Sequence, residues 1–121
     1  MFDFEKDARL VIQEVKIQFG DLVGKQKDEV FVVLAEPDTF DCLKVKGKSK
    51  EELSKLDFLL GYFKEIFSKY LIDHSFTVNG VKADNDKVRD FIFRKLAISD
   101  YVCGEYFKAV FLPPQSKKEE K

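Results

Sequence analysis

Tryptophan is absent from the chain, and histidine and methionine occur once each. One histidine, His74, leaves no set of imidazoles to converge on a metal, which needs several ligands together. The two cysteines, Cys42 and Cys103, lie far apart with no CxxC neighbour, so they read as buried reduced thiols. Charge of one sign is also missing. Twenty-one basic residues face twenty-two acidic ones, for a net charge of −1. General nucleic-acid binding needs a basic face that displaces counterions, and this balance argues against it. No apolar run reaches the roughly 20 residues of a membrane span. The start, Met1-Phe2-Asp3-Phe4-Glu5, lacks the basic-then-apolar order of a signal peptide, so the sequence reads as cytoplasmic. Nucleophile elbows of the G-x-S-x-G type are absent. Gly20 and Gly24 precede a strand-like run rather than a helix, which is wrong for a phosphate loop.

What is present is phenylalanine, 13 residues of 121, within a chain that is 45% hydrophobic and 36% charged. That supply of large apolar rings suits a core or an interface. The length fits one domain over 1–112, followed by a charged tail over 113–121. "EVKIQFG" alternates strictly, which predicts a strand over about 12–19; residues 2–12 fit either a helix or an extended start. "VFVVLAE" (30–36) predicts a buried partner strand that ends at Pro37. The polar connection 20–29 makes the pair an antiparallel hairpin with a long loop. Asp38 or Thr39 can cap a short helix through Val45.

Ser49 and Glu52 read as a capping box. The helix after it carries Leu53, Leu56, Leu60, Phe63, Phe67 and Tyr70 on one stripe and runs for about 25 residues. Phe58 and Tyr62 flank that stripe, with Gly61 between them. A glycine inside a helix costs roughly 1 kcal/mol against alanine, so it suggests a kink or the close approach of another backbone. A broad core face accounts for the three; an interface does so as well. Phe58, Gly61 and Tyr62 are the candidate protein-interaction residues.

Asn79-Gly80 predicts a tight turn. Asp84 or Asp86 then caps a helix through "DKVRDFIFRKLAI", and Ser99 caps a final helix ending at Pro113-Pro114. The expected architecture is α+β and mainly helical: an N-terminal antiparallel β-hairpin followed by three to four helices. His74 falls at the C-terminal end of the long helix, where it complements the helix dipole. Asp84-Asn85-Asp86 lacks the spacing and closing glutamate of a calcium loop. These residues predict no catalytic, metal or cofactor site.

The order of pieces resembles the phage tail assembly chaperones. The resemblance rests on "VFVVLAEPDTFDCLKV" and on "YLIDHSFTVNGVKADNDKVRDFI", with Asp73 and Phe76 in a D-x-x-F pair, and covers roughly 28–112. It implies a non-enzymatic protein that coats the tape-measure protein until tail-tube subunits replace it. It also implies a homo-oligomer in the host cytoplasm. Lys117-Lys118 is compatible with the A-rich slippery codons from which such genes are frameshifted. Two other assignments fit the same absence of chemistry: a ring-forming connector or tail terminator, and a small adaptor with a helix-binding groove.

Overall fold

Alternation decides the first half of the chain. Val15 and Ile17 point one way from β1 (Glu14–Gln18) and are buried, while Glu14 and Lys16 point the other way and are exposed. β1 pairs antiparallel with β2 (Phe31–Ala35), placing Val15 opposite Leu34 and Ile17 opposite Val32 on one inner face. The computed structural model describes residues 1–46, 51 and 55–111. Ahead of β1, α1 (Phe4–Val11) settles the N-terminal ambiguity in favour of a helix. Its cap is reciprocal: the Asp3 carboxylate accepts from the Glu5 N–H, and the Asp3 N–H donates to Asp7.

The connection from β1 to β2 is no slack loop. It folds into short 3-10 turns at Gly20–Val23 and Lys27–Glu29. Gly20 is buried against the backbone, and a Cβ placed on it would lie 1.7 Å from the Gln26 carbonyl oxygen. Pro37 ends β2, and α2 (Thr39–Lys46) follows, capped by the Asp38 carboxylate, which accepts from the Asp41 N–H at 3.0 Å. The expected capping box at Ser49 and Glu52, the stripe residue Leu53 and the tail 113–121 lie outside the described residues.

The long helix, α3 (Leu56–Tyr70), stops short of the expected length. Residues Leu71–His74 form a third strand, β3, against β2. The reason is the outer edge of β2, whose N–H and C=O groups need partners. β3 supplies them, and beyond it the Ser75 N–H donates to the Phe31 carbonyl. Apolar Leu71 and Ile72 extend the helical pattern of the sequence, which is why the strand is hidden there. His74 is therefore a strand residue, not a helix-end residue.

Asn79 and Gly80 have φ of +53° and +82°, and they close a small hairpin of β4 (Thr77–Val78) and β5 (Val81–Lys82). Asp84 caps α4 (Asn85–Ile92) by accepting from the Lys87 N–H at 2.8 Å. That helix ends sooner than the sequence suggests, and α5 (Leu96–Phe111) already begins before Ser99. Ser99 is not its cap. It is buried, and its hydroxyl donates back to the Lys95 and Leu96 carbonyls, so its polarity is satisfied within the helix.

α3, α4 and α5 close over the inner face of the three-stranded sheet. Phe63 stands at the centre, with its ring 5.3 Å from Tyr106, 5.5 Å from Phe67 and 5.6 Å from Phe93. Such edge and tilted pairs stabilise beyond their buried area. The Tyr106 hydroxyl donates to the Ala35 carbonyl at 2.8 Å, tying α5 to β2. The structure is thus α+β and mainly helical, with α1 and then the N-terminal β-hairpin ahead of the other helices, and a third strand added to that hairpin.

Candidate functional site

Side-chain packing rolls α3 away from the expected stripe. Its buried residues are Tyr62, Phe63, Ile66 and Phe67, while Leu56 is 44% exposed. The roll carries Tyr62 inside, as the broad core face has it and the exposed interface does not. Its ring lies 5.9 Å from Phe107, and its hydroxyl donates to the Asp41 carbonyl at 2.5 Å. Burial first, and then the Asp41 carboxylate, push the Tyr62 hydroxyl well above its ordinary range. It remains a donor.

Asp41 organises this side of the molecule. Its carboxylate is buried, accepting from the Tyr70 hydroxyl at 2.6 Å and from the Lys69 ammonium at 2.9 Å. Tyr70 also accepts from the Asp38 N–H at 3.0 Å. The Tyr70 hydrogen bond, and then that of Lys69, hold the Asp41 carboxyl below the usual carboxylate range. The N-terminal turn of α2 is thereby fastened to the C-terminal turn of α3. Nothing in the sequence singles out Asp41 beyond an acid in a helix's first turn.

At the other end of the pair the helices leave a groove of about 480 Å³ lined by Lys44, Asp57, Phe58, Gly61, Tyr62 and Glu65. All three candidate interaction residues meet there. Of these lining residues Tyr62 is buried, Phe58 is half-buried and Gly61 is exposed. Among the described residues a Cβ on Gly61 would meet nothing within 4 Å, so no described backbone requires that glycine. The rim carries one cation, Lys44, and two carboxylates, Asp57 and Glu65.

His74 is buried in β3 opposite Val32. Its Nδ1 accepts from the Phe76 N–H at 3.1 Å, which places a ring proton on Nε2. Asp73 beside it pairs with Lys82 instead, and that hydrogen bond lowers its carboxyl pKa. Phe76, its partner in the D-x-x-F pair, packs against Phe19 and Phe91. Cys103 is buried with its thiol pushed up to about 12 by desolvation, which suits packing rather than nucleophilic attack. Among the described residues no three His, Cys, Asp or Glu side chains are grouped to hold a metal, and no helix is long and apolar enough to cross a membrane. No family model, curated protein or solved structure matches the chain.

Proposed function

We propose that the protein is a non-enzymatic phage tail assembly chaperone. On this reading the groove between α2 and α3 holds an apolar helical segment of the tape-measure protein until tail-tube subunits displace it. The observation that supports it most is Gly61. It stands in mid-helix at a cost of roughly 1 kcal/mol, yet no packing among the described residues needs it. A glycine between two aromatic residues gives an incoming helix room for close backbone approach, and the mixed rim keeps the groove wetted when empty. Binding of this kind needs adaptable apolar contacts and reversibility rather than reactive groups.

The test is titration of the full chain with a helical tape-measure fragment. Phe58→Asp should weaken binding about thirtyfold, the loss of one aromatic anchor of about 2 kcal/mol. Gly61→Leu should abolish it by filling the groove. Unchanged affinity in both variants, with fold intact by circular dichroism, would refute the reading. Equal affinity for an unrelated amphipathic helix would favour the adaptor instead.

A further inference from the structure

The sheet has an open edge. Strand order is β1-β2-β3, so β1 has a neighbour on one side only. The Phe19 N–H donates to the Val30 carbonyl, and the Glu36 N–H donates to the Gln13 carbonyl. In this register the odd residues of β1 bond to β2. The backbone N–H and C=O groups of Glu14, Lys16 and Gln18 therefore point away from the sheet. Among the described residues they have no hydrogen-bond partner. Proteins usually blunt such an edge with a charge, and Lys16 is such a charge. Its position relative to Glu14 says more.

We propose that β1 pairs antiparallel with β1 of a second copy of this chain, joining two three-stranded sheets into one of six strands. The register is set by charge. With Val15 opposite Val15 across the two-fold axis, Glu14 of each copy faces Lys16 of the other. Those are the residues whose backbone groups point outward, so each Glu14–Lys16 couple exchanges both of its hydrogen bonds. Moving the register by one pleat either way sets Lys16 against Lys16 or Glu14 against Glu14, and like charges directly opposite are destabilising. The interface thus carries its own selection against slippage. Glu14 and Lys16 are exposed on the outer face, away from the core. Lys16 stands 4.5 Å above the Phe31 ring and reaches the second copy's Glu14 by a change of rotamer. The pairing uses none of the groove residues, so it stands or falls apart from the chaperone reading.

Sedimentation equilibrium of the full chain tests it. The wild type should dimerise below about 100 µM, a range that covers weak homodimers. Lys16→Glu makes the edge wholly acidic and Glu14→Lys makes it wholly basic. Each alone should weaken the dimer about tenfold or more. Mixing the two variants should restore association as a heterodimer, and so should the double exchange Glu14→Lys with Lys16→Glu in one chain. Circular dichroism of each variant should match the wild type, because both side chains are exposed. A wild type that stays monomeric overturns the proposal. So do single variants that dimerise like the wild type, or a mixture that stays monomeric.

Discussion

The two ends of α3 are built on different rules. At the C-terminal end every polar group has an assigned partner: Tyr70 and Lys69 on the Asp41 carboxylate, and Asp38 on Tyr70. At the N-terminal end Leu56 is 44% exposed, Gly61 faces open space and Phe58 is only half-buried. One end fixes the angle between α2 and α3, and the other leaves an apolar bed between them. Local stability within a domain varies in this way, and binding surfaces are drawn from the less constrained part. The lesson is that a helix can be anchored at one terminus and left available at the other without a hinge.

Four substitutions break or sharpen that contrast, from the largest effect down. Phe63→Ala removes the ring on which both ends depend and should cost about 4 kcal/mol in urea unfolding. A loss under about 2 kcal/mol would show that the aromatic cluster is not the common support. Asp41→Asn loosens the anchored end alone and should cost about 1.5 kcal/mol at neutral pH, as hydrogen bonds to a charged group do. Its sign with pH is fixed. The folded carboxyl titrates below its ordinary 3.8, so its contribution is full above about pH 5 and is lost as pH falls through the lowered value. The difference between wild type and Asp41→Asn should therefore shrink on acidification; a constant gap would mean the charge is not involved. Tyr62→Phe removes one hydrogen bond at the boundary between the two ends and should cost about 1 kcal/mol. A neutral result would show that the Asp41 carbonyl is served well enough within α2. Gly61→Ala, at the open end, should raise stability by about 0.5–1 kcal/mol, since the methyl group meets open space and the helix gains propensity. A loss of stability there would show that the groove is tighter than it stands in the free chain.

The hairpin was legible because alternation over Val15, Ile17 and Phe19 is a strong two-residue period, and because Pro37 cannot continue a ladder. Asp84 and Asn79-Gly80 were legible for local reasons, a cap and a pair of positive-φ residues. β3 was not. Leu71 and Ile72 extend a helical stripe, and only the hydrogen-bonding demand of β2, a strand far away in sequence, makes them extended. The same non-local cause misplaces His74. Ser99 failed as a cap because a serine hydroxyl can return its hydrogen bond to its own helix. Of the site, the three residues Phe58, Gly61 and Tyr62 were visible as an unusual triplet. Their separate fates were not, since the roll of α3 depends on Phe107 and on Asp41, neither of which the periodicity of α3 contains.

Gly20 carries a practical consequence for anyone altering this chain. The stretch from Gly20 to Glu29 has the composition of a tolerant surface linker, and a tag or cleavage site would be placed there first. Yet the Gln26 carbonyl closes on Gly20 where even a methyl group has no room. The Asn79-Gly80 tip is the better place, because its glycine faces open space and the short hairpin around it is solvent-exposed. A label inserted at that tip should leave the fold undisturbed, whereas the same label between β1 and β2 should uncouple β1, the strand proposed to pair with a second copy.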